Sequence, residues 1–466
     1  MPRLTAVILA AGLGTRMKSA LPKVMHPIAG RPLLRYAVQA AFDAGVEHAV
    51  VVTSGRPELD QFLSREFGDR VSTVVQDPPR GTGDAARIGI ERVQTERVLI
   101  LCGDTPLVRA EELRELVAAL DQPGASELAL MTCSLTAPHG YGRVLRDASG
   151  LVLEVREERD LRSAEERAVR EVNAGMYAGD TAAVRRALGE VRPNNSQGEY
   201  YLTDVIALCA RASRVTGVSG HSEALLGVND RSQLAEADAL LGKRIRLRHA
   251  KNGVTVRGEP QIDDTVEIAE DCVIEMGVSL RGQTRIGSGT RVDVGCVITD
   301  STIGEGVRLL PYTVITSSNV GNAAQLGPFT HLRPHSEIEA EVHLGNFVET
   351  KSTRVRRGAK ANHLSYLGDG DIGERANVGA GTIFCNYDGF NKHKTVIGEG
   401  AFIGSDSQLV APVTVGRNAY VASGTTVIED VPEDALAVGR IKQSNKLGYA
   451  PKLKARFAAI KAAKKP

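Results

Sequence analysis

Aliphatic residues recur at every sixth position from Ile262 onward, and no other feature restricts the fold of this chain as strongly. The first uninterrupted series is Ile262, Ile268, Ile274, Leu280, Ile286, Val292 and Ile298. A helix repeats about every 3.6 residues and a half-buried strand every second residue, so neither explains a long period of six. One short strand per hexapeptide does, because three such strands complete a coil whose aliphatic side chains point inward. The sequence therefore predicts a parallel β-helix.

The six-residue series changes phase but persists. It slips by one residue before Ile303 and again before Val320, returns at Ile372 and, after a gap, resumes at Ile397. Residues 385–396 (CNYDGFNKHKTV) separate two phases, and we expect them to form a loop that helps to build a site on one face. A core of aliphatic rungs also explains why only 4% of the residues are aromatic and none is Trp.

The first half of the chain alternates apolar strands with amphipathic helices. The predicted strands are Thr5–Leu9, Ala49–Thr53, Val71–Gln76 and Val98–Cys102. The predicted helices are Arg31–Ala44, Glu58–Phe67, Asp84–Val93 and Glu111–Ala119. This alternation predicts a Rossmann-like α/β domain with a mostly parallel sheet and right-handed crossovers.

Four segments follow from these patterns. We expect an α/β domain over 1–229, a linker helix over 230–250, the β-helix domain over 251–441 and a basic tail over 442–466. The repeat is expected to stop after Val431. The Lys-rich and Ala-rich tail is either a solvated basic arm or a clamp for a polyanionic ligand.

Charge and composition exclude several classes of protein. The net charge is near +1, so no global basic field attracts the chain to nucleic acid or to a membrane surface. No apolar run approaches the ~18 residues of a spanning helix, and the N-terminus lacks the features of a signal peptide. The six cysteines have no CxxC spacing, which argues against a zinc site and a secreted disulfide scaffold. We expect a cytoplasmic protein without nucleic-acid or membrane partners.

Polar and glycine-rich segments follow three of the predicted strands. The first, A-A-G-L-G-T-R (10–16), would let backbone N–H groups approach phosphates, and Arg16 and Lys23 would supply two cations for a triphosphate. It is neither a Walker A loop nor a complete dinucleotide fingerprint. The second segment joins Gln76, suited to a base edge, to R-G-T-G (80–83). The third presents Asp104, a natural Mg²⁺ ligand, after a buried strand.

The sequence L-A-A-G-L-G-T-R-M (9–17) with P-K (22–23) resembles the signature of sugar-phosphate nucleotidyltransferases. Combined with the hexapeptide repeat, it is similar to the bacterial bifunctional N-acetylglucosamine-1-phosphate uridylyltransferase/glucosamine-1-phosphate N-acetyltransferase family, from about Leu4 to Gly448. The further motifs that carry the resemblance are G-Y-G-R (140–143), E-V-N-A-G (171–175), Q-G-E-Y-Y-L-T-D (197–204), G-V-N-D-R (227–231), G-P-F-T-H-L-R-P (327–334), G-N-F-V-E-T-K (345–351), A-N-H-L-S-Y-L-G-D (361–369), N-V-G-A-G-T (377–382), C-N-Y-D-G (385–389) and G-S-D-S-Q-L-V-A-P (404–412).

The resemblance implies a left-handed β-helix, a homotrimer with acetyltransferase sites near the subunit boundaries, and synthesis of UDP-N-acetylglucosamine for peptidoglycan and lipopolysaccharide. It also implies roles for individual residues. UTP and the UDP-sugar would be bound by Leu9, Ala10, Ala11, Gly12, Gly14, Lys23, Gln76, Gly81, Thr82, Cys102, Gly103, Asp104, Gly142, Glu157, Asn173 and Asn229, with Arg16 and Lys23 catalytic and Mg²⁺ on Asp104 and Asn229. Glucosamine-1-phosphate would be bound by Arg333, Lys351, Tyr366 and Asn377, with His363 as the general base. Acetyl-CoA would be bound by Ala380, Asn386, Tyr387, Ser405, Ser423 and Arg440.

Three positions depart from the family pattern. Cys102 stands where the family usually has Tyr, Asp84 where it usually has His, and Ser423 where it often has Ala. The first two flank the nucleotide site and the third the acetyl-CoA site. These differences concern specificity more than chemistry, because Gly103-Asp104 and Gly81-Thr82 are intact.

The implied chemistry agrees with the residue types. Uridylyl transfer needs cations more than a base, because the attacking sugar phosphate is already an anion. Acetyl transfer needs a base that removes a proton from an amine, and the imidazole of His363 is suited to that at neutral pH. One alternative is a monofunctional sugar-1-phosphate nucleotidyltransferase with a structural β-helix, which would need neither His363 nor the 385–396 loop. Another is a sugar-nucleotide sensor, which Asp104, Lys23 and Asn229 disfavour.

Overall fold

The computed structural model describes residues 3–122, 126–224, 227–439 and 442–463. They form two compact units, Met1–Arg248 with Gln261–Thr265, and His249–Pro260 with Val266–Pro466. The helix Arg231–Lys251 covers the segment predicted as a linker. The predicted domain boundaries themselves stay a prediction. Within the described residues, no helix is long and apolar enough to span a membrane.

The first unit is an α/β fold. Its strands are β1 Leu4–Leu9, β2 Pro27–Ile28, β3 Arg31–Pro32, β4 His48–Thr53, β5 Val71–Val75, β6 Arg97–Cys102, β7 Leu128–Ser134, β8 Arg143–Arg146, β9 Val152–Arg156, β10 Glu171–Asp180 and β11 Val215–Ser219. Its helices are α1 Leu33–Asp43, α2 Pro57–Phe67, α3 Thr82–Ile90, α4 Ala110–Ala118, α5 Ala164–Ala168, α6 Thr181–Glu190, α7 Asp204–Ala212 and α8 Arg231–Lys251. The 3-10 turns are Thr15–Met17, Lys23–Met25, Gly68–Arg70, Ala119–Asp121, Glu158–Asp160 and Ser222–Ala224.

The main sheet has the order β11-β7-β10-β6-β1-β4-β5. Strands β6, β1, β4 and β5 are parallel neighbours, as predicted, while β10 is antiparallel to both β6 and β7. Both faces of β1 are buried, since Val7 and Ile8 belong to core clusters on opposite sides of the sheet. Helix α1 begins two residues later than predicted, because Arg31 and Pro32 pair with Pro27 and Ile28 in a small hairpin.

The second unit is a parallel β-helix with three sheets, here named faces A, B and C. Face A contains Thr255–Val256, Val273–Ile274, Arg291–Val292, Arg308–Leu309, Gln325–Leu326, His343–Asn346, Lys360–His363, Asn377–Val378, Phe402–Ile403, Tyr420–Val421 and Leu436–Ala437. Face B contains Ser279–Arg281, Val297–Thr299, Val314–Thr316, His331–Leu332, Glu349–Lys351, Tyr366–Gly368, Ile383–Cys385, Gln408–Val410 and Thr426–Val427. Face C contains Glu267–Ile268, Arg285–Ile286, Thr302–Ile303, Asn319–Val320, Glu337–Ile338, Arg354–Val355, Gly370–Ile372, Thr395–Ile397 and Val413–Val415. The strand Gln261–Ile262 is grouped with the first unit, and helix α9 is Tyr449–Ala463.

The predicted aliphatic ladder is the buried core of this unit. The ladder also runs through residues 345–371, where the sequence pattern shows a gap, because Thr350, Val355, Ala361 and Leu367 occupy the inward positions. Thr350 and Ala361 conceal the period, since neither is a large aliphatic residue. The repeat also extends past Val431, because Leu436–Ala437 adds one strand to face A. The prediction that it ends at Val431 was therefore wrong by one strand.

Candidate active sites

The carboxyl ends of four parallel strands bring the predicted nucleotide residues to one edge of the first unit. Leu9 and Cys102 are register partners at the ends of β1 and β6, and the N–H of Gly103 donates to the carbonyl of Leu9 at 2.9 Å. The N–H of Gln76 donates to the carbonyl of Thr53, so β5 ends beside β4 at the same edge. A ligand at this edge can therefore meet the loops after β1, β5 and β6.

A cavity of about 490 Å³ opens at this edge. It is lined by Leu9, Ala10, Ala11, Gly12, Leu13, Gly14, Thr15, Arg16, Lys23, Val24, Gln76, Pro79, Gly81, Thr82, Ala85, Cys102, Asp104, Glu199 and Asn229. This set contains nearly all the residues predicted to bind UTP. Gly103 supports the cavity from behind as a buried residue, while Gly142, Glu157 and Asn173 lie elsewhere.

Four charged and polar side chains converge inside the cavity. Lys23 Nζ forms an ion pair with Asp104 and donates to Asn229 Oδ1 at 3.3 Å, and Arg16 Nη2 donates to the same Asn229 oxygen at 3.0 Å. The N–H of Val228 donates to the Asp104 carbonyl at 2.9 Å, which holds the two loops together. The oxygens of Asp104 and Asn229 thus share one cation, and two hard oxygen donors suit Mg²⁺, which keeps several of its waters.

Two glycines in the cavity walls are required by close packing. Gly14 has φ +61°, and a Cβ added there would lie 2.6 Å from Lys23 Cβ. Gly81 has φ +112°, and its added Cβ would lie 2.5 Å from the carbonyl oxygen of Tyr200. Any larger residue at these positions would move Lys23 or the 197–204 segment.

A buried polar pair, Gln76 with Asp84, lies at one wall of the cavity. Gln76 Nε2 donates to the Gly81 carbonyl and to Asp84 Oδ2, both at 3.0 Å. Arg87 Nη2 donates to Asp84 Oδ1 at 2.6 Å. Burial disfavours the ionised form of Asp84, but the hydrogen bonds from Gln76 and Arg87 outweigh it, and the pKa of Asp84 is lowered.

The three residues predicted to bind the sugar phosphate lie together. The N–H of Asn173 donates to the Gly142 carbonyl at 2.9 Å, and a Cβ on Gly142 would lie 3.3 Å from Glu157 Oε2. Glu157 Oε1 accepts from Thr203 Oγ1 at 3.1 Å, and Asn173 Nδ2 donates to Tyr177 OH at 2.7 Å. Burial raises the pKa of Glu157.

Cys102 connects these three residues with the cavity. It lines the cavity, and its Sγ contacts the Gly175 carbonyl at 3.7 Å, while the N–H of Gly175 donates to Asn173 Oδ1 at 3.1 Å. Burial, and then the carboxylate of Asp104, raise the pKa of Cys102 to about 12. The thiol is therefore neutral at physiological pH and fills space where a family member usually carries Tyr.

In the second unit, four predicted residues form a line along one corner. On face A, the register partners in four neighbouring strands are Ala361, Val378, Ile403 and Val421. Continuing this register by two residues aligns His363, Ala380, Ser405 and Ser423 in successive coils at the end of face A. We name this set the corner line. His363, Ser405 and Ser423 are exposed.

Face B carries a second, hydrogen-bonded cluster. Lys351 Nζ pairs with Asp369 Oδ1 at 3.5 Å, and Asn386 Nδ2 donates to Asp369 Oδ2 at 2.5 Å and to Tyr366 OH at 3.5 Å. Arg333 precedes Lys351 by one coil and pairs with Glu349 at 2.9 Å. Arg333, Lys351 and Tyr366 therefore share face B.

Other predicted residues of this site lie apart. Asn377 is on face A and is not brought against the face B cluster within this chain. Arg440 lies outside the described residues. Tyr387, in the 385–396 loop, is half-exposed, and Lys392 Nζ lies 4.5 Å from the centre of its ring.

The 385–396 loop is held by its own contacts. Asp388 accepts a hydrogen bond from His393 Nε2 at 2.7 Å and others from the N–H groups of Asn391 and Phe390, and these lower the pKa of Asp388. Side-chain hydrogen bonds and the turn at Asp388 thus give the loop a defined conformation beside Tyr387.

Sequence reasoning missed several residues of these sites. Asp369 joins Lys351 to Asn386, Thr203 holds Glu157, and Glu199 lines the cavity of the first unit. Each lies within a motif that carries the family resemblance, so the motifs were the only sequence signal for these residues. The contacts between Gln76 and Asp84 had no such signal.

Comparisons with known proteins now bear on both sites. Residues 6–171 match the model of the MobA-like NTP transferase domain, and residues 394–429 match that of the bacterial transferase hexapeptide with six repeats. The chain is 55% identical to the bifunctional protein GlmU of Sorangium cellulosum, with 97% of each chain covered. It is 48% identical to the bifunctional protein GlmU of Geobacter metallireducens, covering 98% of this chain and 100% of the relative, and 44% identical to that of Trichlorobacter lovleyi, covering 95% and 97%.

The chain belongs to the GlmU family. The predicted resemblance is thereby confirmed, and so is the fold, an α/β nucleotidyltransferase domain followed by a left-handed β-helix. As a GlmU-type enzyme the chain is bifunctional, both an N-acetylglucosamine-1-phosphate uridylyltransferase and a glucosamine-1-phosphate N-acetyltransferase. A purely structural β-helix does not agree with relatives that are named bifunctional and match along both halves.

Proposed function

We propose that uridylyl transfer takes place in the cavity at the edge of the first unit. A phosphate oxygen of N-acetylglucosamine-1-phosphate would attack the α-phosphorus of UTP, and the bond to the β-phosphate oxygen would break to release pyrophosphate. Lys23 and Arg16 would reduce the repulsion between the two anions. UTP would be bound by the loops after β1 and β5, through Leu9 to Gly12, Gly14, Gly81 and Thr82. Gln76 would contact the base.

We further propose that Asp104 and Asn229 hold a divalent cation, Mg²⁺. Their oxygens already share Lys23 Nζ as a partner, so both side chains face one position. When bound, the cation would neutralise charge on the triphosphate and on the leaving pyrophosphate. Glu157, Asn173 and the backbone at Gly142 would accept and donate hydrogen bonds to the sugar.

Acetyl transfer would occur at the corner line of the second unit, and the alignment of His363 with Ala380, Ser405 and Ser423 carries this proposal. The amine of glucosamine-1-phosphate would attack the thioester carbon. As the N–C bond forms and the C–S bond breaks, His363 would accept the amine proton, and the proton lost overall would appear on the thiol of CoA. Acetyl-CoA would lie along the corner line, with Asn386, Tyr387 and Arg440 as further contacts.

The phosphate of glucosamine-1-phosphate would be bound by the cations of face B, Arg333 and Lys351, with Tyr366. Because Asn377 lies on face A, it would reach the same substrate from a second copy of the chain. Tyr312, Phe329 and Phe347 support such an assembly, since they stack at 5.3 Å between ring centres along successive coils and remain about half-exposed. We propose a cytoplasmic homotrimer, whose mass by light scattering would be three times 49.7 kDa.

Two lysines offer a matched test of these assignments. Lys23 and Lys351 are each partly buried beside one aspartate, Asp104 and Asp369. We expect Lys23→Ala to reduce uridylyl transfer by about 10²-fold or more and to leave acetyl transfer intact. Lys351→Ala should do the reverse, raising the KM for glucosamine-1-phosphate. Both activities measured on one preparation of each variant test this, and a parallel loss of both activities would contradict it.

A further inference from the structure

Gln76 is oriented by its partners in a way that bears on which base the cavity accepts. The residue is 5% exposed and follows β5 at the edge of the sheet. Its amide nitrogen donates to the Gly81 carbonyl and to Asp84 Oδ2, both at 3.0 Å. A primary amide has two N–H donors and one acceptor oxygen, so these two bonds engage both donors.

Both partners of that nitrogen can only accept. The Gly81 carbonyl has no proton to give. Asp84 sits in the first turn of α3, is 3% exposed, and receives Arg87 Nη2 at 2.6 Å on its other oxygen. These hydrogen bonds lower its pKa in spite of burial, so Asp84 is an ionised acceptor at neutral pH. Rotating the Gln76 amide by half a turn would bring its oxygen against two acceptors, which is unfavourable for a buried group.

The consequence is that Gln76 offers a ligand only its Oε1, an acceptor. Gln76 lines the cavity together with Gly81 and Thr82. At ring position 3, uracil carries an N–H donor, whereas cytosine carries a nitrogen lone pair. A fixed acceptor facing that position binds uracil and repels cytosine, and a site built around one hydrogen bond rejects an analogue that cannot form it.

We propose that Asp84 is a positioning residue that fixes the Gln76 amide, so that the nucleotide site selects uracil over cytosine. This inference rests on the proposed contact between Gln76 and the base. Asp84 itself would not touch the nucleotide, because its two oxygens are occupied by Gln76 and Arg87.

The test is the ratio of kcat/KM for UTP to that for CTP, measured with N-acetylglucosamine-1-phosphate in the full-length protein. Asp84→Asn keeps the size but supplies an amide that can donate to Gln76 Oε1, which permits the reversed orientation. We expect this variant to lower the ratio by about tenfold or more, mainly through KM for the nucleotide. Arg87→Gln is the matched control, since it retains the carboxylate, and it should keep the ratio within about fivefold of the wild type.

Gln76→Ala distinguishes the proposed role of Asp84 from the proposed contact between Gln76 and the base. If it lowers the ratio and Asp84→Asn does not, the role of Asp84 is overturned while the contact of Gln76 with the base stands. If Gln76→Ala also leaves the ratio unchanged, the proposed contact itself fails. A wild-type enzyme that uses CTP as well as UTP would overturn the inference directly.

Folding is controlled on the same samples, because acetyl transfer reports on the second unit and circular dichroism on the whole chain. If Asp84→Asn loses uridylyl transfer with both nucleotides, the preference for UTP is measured instead as the ratio of the Kd values for CTP and UTP, by calorimetry. If that variant does not fold, Asp84→Ser, whose smaller hydroxyl can also donate, takes its place. An unchanged ratio in whichever folded variant is measured overturns the inference.

Discussion

The two units both place their predicted site residues on parallel strands, yet they bring those side chains together by different means. In the first unit, Gly14, Gln76 and Asp104 come from loops after three different strands, and each loop has its own length and conformation. In the second, the four residues of the corner line, His363, Ala380, Ser405 and Ser423, hold equivalent positions in successive coils of one repeat. A site made from loops can be tuned one residue at a time, whereas a site made from a repeat inherits its spacing from the core.

This difference predicts that damage to one site will leave the other unaffected. The largest effect is expected for His363→Ala, which removes the proposed base and should lower kcat for acetyl transfer by roughly 10²- to 10⁴-fold. KM for acetyl-CoA should change little, because acetyl-CoA is proposed to be bound by other residues of the corner line. Uridylyl transfer on the same sample serves as the control. A folded variant that acetylates within a few-fold of the wild type would remove His363 from the mechanism.

The converse test concerns Asp104. Asp104→Asn keeps the shape of the side chain but removes the charge that pairs with Lys23 and would hold Mg²⁺. We expect uridylyl transfer to fall by about 10²-fold, with a raised Mg²⁺ concentration needed for half-maximal rate. Acetyl transfer should persist. Equal Mg²⁺ dependence in variant and wild type would show that Asp104 is not a ligand.

Glycine substitution tests how rigid each framework is. A Cβ at Gly404 would lie 2.4 Å from the Ser423 nitrogen and 2.6 Å from the Val421 oxygen, which are backbone atoms of the next coil. Gly404→Ala should therefore destabilise the second unit by about 2–3 kcal/mol. It should also impair acetyl transfer, because it would displace Ser423, a proposed contact of acetyl-CoA. Gly424→Ala is the comparison, because its Cβ meets nothing within 4 Å and only its φ of +73° is unfavourable. Urea unfolding that ranks Gly424→Ala as the more destabilising would refute this account.

The smallest effects concern pH and have opposite signs in the two units. Burial, with the nearby Asp160, raises the pKa of Asp204 to about 6, so its carboxyl favours the folded state at low pH and this stability is lost as pH rises from about 4 through 6. The hydrogen bond from Arg356 lowers the pKa of Asp371, so its stabilising effect is present above the ordinary carboxyl range and is lost on acidification. At pH 7.5, Asp204→Asn should stabilise the first unit and Asp371→Asn should slightly destabilise the second.

Calorimetric unfolding from pH 2 to 8 measures both effects, because the Asp371 contribution is lost only below the ordinary carboxyl range. Added UTP identifies the transition of the first unit, because a ligand stabilises the unit that binds it. Near pH 4 the difference between Asp204→Asn and the wild type should nearly vanish. A pH-independent difference for either variant would mean that its carboxylate does not titrate as described.

The β-helix was predictable because its core repeats, and its hidden rungs show the limit of that signal. Thr350 and Ala361 are buried like the aliphatic rungs, but only the neighbouring coils reveal it. The nucleotide loops were predictable as motifs at strand ends, since parallel strands align those ends. The bonds of Gln76 to Asp84, of Thr203 to Glu157 and of Asp369 to Asn386 were not, because each depends on side-chain geometry without a sequence period.

The register of the β-helix also has a consequence for synthesis of the chain. Each coil pairs with a coil only 17 or 18 residues earlier for most of its length, as at Arg291 with Val273 and Arg308 with Arg291. At a translation rate of about 5–20 residues per second, a new coil leaves the ribosome every few seconds and finds its template already formed. The sheet of the first unit instead waits for β10 to enter between β6 and β7 and for β11 to close its edge. We expect nascent chains that end before Ser219 to depend on chaperones, because their sheet lacks its last strand. In longer chains, we expect each new coil of the β-helix to pair with the coil made just before it.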